Sequence, residues 1–148
     1  LLVGKLNLDI LIRYASSTND ILKATCIESI EFATKHNPNV ATVQCLKFVT
    51  QTLAEESPRV KWESAKVIGN IAKQFPTKLD KAISSLLINS EYNGTVVRWA
   101  SAYALGEILK LKTRHNKELL PALEAISIRE PDNAIKKKYL DAIKKTNK

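Results

Sequence analysis

The sequence predicts an all-α fold, a right-handed α-α superhelix (α-solenoid) of about four helix pairs and eight helices. Three observations predict it. A twelve-residue segment recurs after 37 positions, apolar residues recur at helical spacing through both copies and beyond, and no alternating apolar run is long enough for a strand. Self-similarity at a fixed period of this length is typical of repeat arrays, in which each unit buries its apolar stripe against the next.

The best-preserved segment occupies residues 60–71 and again residues 97–108. The first copy reads VKWESAKVIGNI and the second reads VRWASAYALGEI. The whole chain contains two tryptophans and four glycines, so chance would rarely align a tryptophan and a mid-helix glycine in both copies. The segment is therefore a structural repeat.

Four copies of this helix are present. A basic position recurs at intervals of 37 or 38 residues, as Lys23, Lys61, Arg98 and Lys136. An apolar residue precedes it each time: Leu22, Val60, Val97 and Ile135. Two more apolar columns follow on the same stripe, namely Ile27, Ala65, Ala102 and Leu140, then Ile30, Ile68, Leu105 and Ile143.

A second helical pattern precedes each copy, with stripes at Leu6, Ile10 and Leu11; at Leu46, Val49 and Leu53; at Leu79, Ile83, Leu86 and Leu87; and at Leu119, Leu123 and Ile126. Asn, Ser, Pro and Gly separate the helices, as expected of caps and turns. We expect one repeat domain over 1–148, with repeats of approximately 1–36, 37–75, 76–112 and 113–148. Without methionine at position 1, the chain is expected to be a piece of a longer one, and the apolar Leu1–Val3 an edge for a preceding repeat.

The segment Thr95–Ile108 resembles the second helix of a HEAT repeat, with its Val-Arg, small residues and Ala-Leu-Gly. Glu118–Leu123, with Pro121 near its start, resembles the first helix of that family. The likeness is closest over 57–112, and the period of 37–38 is below the ~40–47 usual for the class. The resemblance to HEAT repeats implies an armadillo-type solenoid that binds partners, with its second helices lining a concave face.

Two structural roles follow from the repeated columns. A glycine kept mid-helix in two copies, at Gly69 and Gly106, costs about 1 kcal/mol relative to alanine and therefore predicts that a neighbouring helix approaches closely. The basic column is expected to pair with acids or carbonyls of the next repeat, as in related arrays, with its stems covering apolar surface.

The charge distribution carries the functional prediction. The net charge is +8, and the second helices with their connections hold all of it, whereas the first helices sum to zero. We therefore predict a non-catalytic binding scaffold with a basic, aromatic-containing concave face that binds a protein segment of acidic character. The residues predicted to bind are Trp62, Lys66 and Lys73 in the second copy, Trp99, Tyr103 and Lys110 in the third, and Lys137 and Lys144 in the fourth.

Several alternatives stay open at this point. The same lysines and aromatics could bind nucleic acid. Trp62 and Trp99 could instead seal the seams between helices, Lys136–Lys138 could be a solvated helix face, and solubility alone could account for the charge. A less favoured alternative is an enzyme, either a DNA-repair glycosylase similar to the HEAT-like alkylpurine glycosylases or a lyase-type HEAT protein.

The sequence offers little for catalysis. His36 and His115 lie 79 positions apart near helix boundaries, and we find no nucleophile, zinc or phosphate-loop motif. We expect no cofactor and no metal. Cys26 and Cys45 are expected to be buried free thiols in a reducing compartment, a disulfide being the alternative. With no signal-peptide or membrane-spanning run, we expect a cytoplasmic protein and no membrane partner.

Overall fold

The computed structural model describes residues 4–147, with side chains from residue 8 onward. This part of the chain forms eight α-helices, two 3-10 helices and no strand. The α-helices are α1 (Gly4–Ser16), α2 (Asp20–His36), α3 (Val43–Thr52), α4 (Pro58–Ile71), α5 (Asp80–Asn89), α6 (Thr95–Lys110), α7 (Asn116–Arg129) and α8 (Asn133–Thr146). The predicted α-solenoid of four helix pairs is confirmed. The side chain of Leu6 and the predicted edge at Leu1–Val3 lie outside the described residues.

Side-chain caps begin four of these helices where the sequence has its turn residues. Asn19 accepts a hydrogen bond from the amide of Leu22 at the start of α2, and Asp132 accepts one from Ile135 at the start of α8. Thr42 and Ser57 cap α3 and α4 in the same way. Each cap satisfies an amide that has no partner within its own helix, so the turn chemistry sets the helix boundaries.

The second helices form a continuous inner layer. α4 packs against both α2 and α6, and α6 packs against α8, while each first helix packs mainly on the second helix of its own pair. The first helices leave room between them: a cleft of about 620 Å³ lies between α3 and α5, and one of about 440 Å³ lies between α5 and α7. The second helices therefore form the more closely packed of the two layers, which is called the inner layer here.

Small residues make the tight layer possible. A Cβ atom added to Gly69 would lie 2.7 Å from Cδ2 of Tyr103, in the ring that α6 places against α4. A Cβ added to Gly106 would lie 3.1 Å from the Cβ of Ala142 in α8. Both glycines therefore stand where a neighbouring helix approaches closely, as predicted, and at Gly69 a Cβ atom would displace the Tyr103 ring.

Side chains of the basic column link successive helix pairs, and each such link is called a rung here. Lys23 donates to both oxygens of Glu55, at 2.9 and 3.1 Å, and Lys61 donates to the carbonyl of Leu53 and to Asn89. Arg98 donates to both oxygens of Glu130, at 3.1 and 3.3 Å, and to two carbonyls in the turn before α6. The predicted structural role is confirmed for these three residues, each of which reaches an acceptor in the following repeat, whereas Lys136 makes no such contact among the described residues.

The apolar columns are buried except at the two ends of the stack. Leu22 in the first pair is 40% exposed and Leu140 in the last pair is 48% exposed, so the burial of the apolar columns does not extend to these two positions. An interior column has a helix pair on either side. A terminal pair has a neighbour on one side only within the described chain, and its side chains are correspondingly uncovered.

Cys26 and Cys45 are buried and free, which excludes the disulfide between them. Burial, and to a lesser extent the carboxylate of Asp9, raises the pKa of Cys45 to about 12. Both thiols pack as small apolar residues. Among the described residues, none of the helices has the length and apolar character that crossing a membrane requires.

Candidate functional site

The predicted binding residues all lie on the inner layer of second helices. Trp62 and Lys66 lie on α4, with Lys73 in the 3-10 turn that follows it. Trp99, Tyr103 and Lys110 lie on α6, and Lys137 and Lys144 lie on α8. The structure brings some of these side chains together and separates others.

Trp99, Tyr103 and Lys138 form a compact group, here called the aromatic platform. The rings of Trp99 and Tyr103 stack with centroids 6.2 Å apart and planes inclined by 14°. The ammonium of Lys138, on α8, lies 4.6 Å from the centroid of the Trp99 ring and 5.7 Å from that of Tyr103. Trp99 remains 39% exposed, so the platform offers an aromatic surface and a cation to solvent.

A buried hydrogen-bond network fixes the position of Tyr103. Its hydroxyl donates to Oδ1 of Asn70 at 2.6 Å, and Nδ2 of Asn70 donates to the hydroxyl of Thr34 and to the carbonyl of Glu31. Burial first, then the carboxylates of Glu107 and Glu31, raise the pKa of Tyr103 to about 12. The phenol therefore stays protonated and keeps donating across the physiological range.

Two clefts flank the platform. One, of about 240 Å³, lies between the ends of α2, α4 and α6. The other, of about 140 Å³, lies between α6 and α8. They share a wall formed by Tyr103, Glu107 and Lys110. Their remaining charged lining residues are Lys35 and Lys73 in the first cleft and Lys138, Asp141 and Lys145 in the second.

The face of α4 differs. Trp62 is half-buried and packs against the core, so it acts more as a seam residue than Trp99 does. Lys66 lies 3.8 Å from a carboxylate oxygen of Glu31 and 3.4 Å from one of Glu63. Glu63 is buried, and this desolvation raises its pKa despite the neighbouring ammonium. Arg59 contacts Glu28 at 3.2 Å. The cationic side chains of α4 and the acidic side chains of α2 therefore largely neutralise each other.

The other predicted lysines divide into two groups. Lys110 pairs with Glu107, and Lys137 pairs with Asp141 at 3.0 Å on the exposed side of α8. Lys73 and Lys144 are exposed, and neither contacts a carboxylate within the described chain.

Sequence reasoning missed Lys35, Lys138 and Lys145. The signal for Lys138 was present, because it stands 38 positions after Ala100. Ala100 is buried in the inner layer, and its register counterpart therefore belongs beside the aromatic platform. Lys138 could not be told apart from its neighbours in the Lys136–Lys138 run by charge alone, because consecutive lysines on a helix point in different directions.

The described residues contain no cluster of three or more His, Cys, Asp or Glu side chains placed to hold a metal ion. The ring of His36 makes its hydrogen bond within its own helix, with Nδ1 2.9 Å from the carbonyl oxygen of Phe32. His115 lies on the outer side, with Nε2 3.3 Å from Asp80. The inner face thus presents one exposed tryptophan, half-buried aromatic rings, cations and shallow clefts, which is chemistry suited to recognition.

The fold and this face define the class: an α-solenoid with a partly basic inner layer. No protein-family model matches the sequence, and no curated protein matches it closely. A solved structure, the complex of CpcE and CpcF of phycocyanin lyase from Nostoc sp. PCC7120, contains a chain with the same fold. The TM-score is 0.60 at 14% identity, over 91% of this chain and 96% of that chain. At this identity the likeness establishes the fold alone.

Proposed function

We propose that this protein is a HEAT-type scaffold that binds a protein segment of acidic character along the inner face of α6 and α8. The observation that carries the proposal is the aromatic platform, where an exposed tryptophan stacks on a fixed tyrosine beneath a lysine. Tryptophan, tyrosine and cationic side chains are the groups that most often anchor protein interfaces.

The electrostatics favour an acidic partner. Lys35, Lys73, Lys138 and Lys145 line the two clefts, and only Glu107 and Asp141 oppose them there. A segment with carboxylates on either side of an apolar residue matches this layout, because its carboxylates reach the lysines while the apolar residue rests on Trp99. Such complementarity gives specificity and a fast association rate.

The repeat architecture supports assignment to the HEAT type. The cationic rungs and the small residues at the contacts between second helices suit it, while the period of 37–38 is shorter than the ~40–47 usual for the class. We further propose that 1–148 is one repeat domain. The eight helices fall in pairs within 1–36, 37–75, 76–112 and 113–148.

A protein partner is also favoured by the structural comparison, in which the chain with this fold was solved in a complex of two proteins, CpcE and CpcF. We propose that Trp62 and Lys66 contribute little to such binding, since the core holds the first and carboxylates hold the second. The main contributors are then Trp99, Tyr103 and Lys73, with Lys110, Lys137 and Lys144 at the margins.

Nucleic acid is the second candidate, because stacked aromatics beside lysines also suit single strands. The two are separated by titrating the protein with a peptide that has glutamates around a central leucine, and with an oligothymidine. We expect the peptide to bind and Lys73→Glu with Lys138→Glu to weaken it roughly tenfold or more. Lys47→Glu with Lys81→Glu, the same charge change at exposed positions on the outer helices α3 and α5, is the matched control and should have no effect.

Two results would contradict the proposal. One is peptide binding that survives the double substitution. The other is tight oligothymidine binding with a steep salt dependence in the absence of peptide binding, which is the behaviour of a nucleic-acid protein.

A further inference from the structure

Lysines form a second repeated column on the inner layer, separate from the basic column that makes the rungs. It consists of Lys35, Lys73 and Lys110, at intervals of 38 and 37 residues, and is here called the lysine ladder. Each of these lysines lies in the last turn of a second helix or in the 3-10 turn that follows it. The repeat therefore places a cation at the same end of three successive second helices.

All three lysines of the ladder line one cleft, the cleft of about 240 Å³ between the ends of α2, α4 and α6. Lys110 pairs with Glu107, which is the one carboxylate among the described residues of the lining. Lys35 and Lys73 are exposed and contact no carboxylate within the described chain. Like charges along one cleft repel each other, and a bound acidic segment would offset that repulsion.

Hydrogen bonds hold the three helix ends in a fixed arrangement. The side-chain amide of Asn70 on α4 donates to the hydroxyl of Thr34 on α2 and accepts from the hydroxyl of Tyr103 on α6. Further along, Gln74 donates to Asn39 at 3.0 Å and joins the turns that follow α4 and α2. The side chains of the ladder therefore start from fixed backbone positions, one on each of three neighbouring helices.

The spacing of the ladder indicates the conformation of a matching partner. Packed helices lie about 8–10 Å apart, so successive lysines start about that far apart across the stack. In a polyproline II helix every third side chain lies on the same face, and three residues advance by about 9.3 Å. In a β-strand the side chains of one face recur after only about 6.6–6.8 Å. The polyproline II repeat is the one that matches the ladder.

We propose that the lysine ladder binds an acidic segment in the polyproline II conformation, with a carboxylate at every third position. This inference rests on the proposed function, and it adds the sequence pattern of the partner and its path across α2, α4 and α6. The residues between the carboxylates rest on Pro38 and Leu111, which are half-buried in the lining of the cleft. Tyr103 lines this cleft and also belongs to the aromatic platform, so the two surfaces are continuous.

The test compares two heptapeptides of equal composition, EPPEPPE and PPEEEPP, with blocked ends, by isothermal titration calorimetry. Their prolines favour the polyproline II conformation in both. The first peptide places three glutamates on one face, whereas the second distributes them around the helix. Because two more ion pairs form, we expect EPPEPPE to bind roughly fivefold more tightly than PPEEEPP.

Substitutions show whether the ladder is the site. Lys35→Gln with Lys73→Gln should weaken the binding of EPPEPPE roughly fivefold and reduce the preference for it. Lys47→Gln with Lys117→Gln is the matched control, because it removes the same charge at exposed positions on the outer helices α3 and α7. It should leave both affinities unchanged.

Equal affinity for the two peptides would overturn the proposal, because charge alone would then explain the binding. So would an affinity for EPPEPPE that survives the ladder substitution, even if the Tm falls, since the lysines would then serve only the helix ends. Oligothymidine that binds more tightly than EPPEPPE and is weakened by the same substitution would assign the ladder to nucleic acid instead.

The glutamate peptide with a central leucine separates this inference from the proposed function. If that peptide binds at the platform and EPPEPPE does not bind, the ladder proposal alone is wrong. If neither peptide binds, both proposals are wrong.

Discussion

α4 and α6 carry the same repeat motif, identical at six of twelve aligned positions, and their surroundings give matching positions different roles. Trp62 of α4 is half-buried against the core, whereas Trp99 of α6 stays exposed beneath Lys138. Lys66 of α4 is held by Glu31 and Glu63, while its counterpart in α6 is Tyr103, which closes over Gly69. The repeat motif specifies the stacking of the helices, and the neighbouring helix determines which copy remains available for binding.

The largest loss of stability is expected from a substitution that removes a buried rung of the basic column. Arg98→Ala leaves the carboxylate of Glu130 without its cation in a site where that side chain is 2% exposed. We expect a loss of about 3 kcal/mol in the free energy of unfolding, measured by urea denaturation. Lys23→Ala is the comparison, because Glu55 is 33% exposed, and it should cost roughly 1 kcal/mol or less. Equal losses would contradict the difference between the two rungs.

The next largest effect is a difference between the two tryptophans in how much each side chain contributes to stability. Trp62→Ala removes a side chain packed against the core, and we expect a loss of about 2 kcal/mol in stability. Trp99→Ala should cost about 1 kcal/mol or less, because its ring is partly exposed and only its contacts with Tyr103 and Lys138 are lost. Thermal and urea unfolding of both variants measure this. A larger loss for Trp99→Ala would make Trp99 the seam residue.

Tyr103→Phe tests the link between α6 and α4 directly. It removes the hydroxyl that donates to Asn70 and leaves a buried amide oxygen without that partner. We expect a loss of about 1–2 kcal/mol. Trp99→Phe, which changes the ring beside it but no hydrogen bond, serves as the control and should cost less. If Tyr103→Phe is neutral in urea unfolding, the network does not fix the platform.

The smallest effect concerns Glu63, and it depends on pH. Burial raises its pKa in the folded protein above the unfolded value, so its contribution to stability is present below the unfolded pKa and is lost as the pH rises through the folded pKa. Glu63→Gln should therefore raise the Tm at pH 7, by roughly 2 °C or less, and have no effect near pH 3. A Tm that falls at pH 7 would indicate that pairing with Lys66 outweighs desolvation.

Much of the fold could be predicted from the sequence because the repeats place the same physical requirement at the same spacing. The glycines predicted a close approach, and Gly69 and Gly106 each face a neighbouring helix. The basic column predicted the rungs, and Lys23, Lys61 and Arg98 form them. The burial of the apolar columns does not extend to Leu22 and Leu140, because periodicity shows which face is apolar but not where the stack ends.

The candidate site was less predictable, because it depends on contacts between residues that are far apart in the sequence. The helical register placed Trp62 and Trp99 on one stripe, but it could not show that α2 supplies Glu31 to neutralise Lys66. It also could not show that Lys138, on α8, lies over Trp99. These differences arise from residues that vary between repeats, whereas the repeat pattern reports only what recurs.

The most direct test of binding at the aromatic platform uses the two indole NH signals that two tryptophans give in a 15N-labelled sample. During titration with the glutamate-leucine peptide, we predict that the Trp99 signal shifts with occupancy and the Trp62 signal stays nearly fixed, with Trp99→Phe identifying the peaks. Saturable binding that shifts the Trp62 signal alone, or neither signal, would show that the partner does not occupy the inner face of α6 and α8.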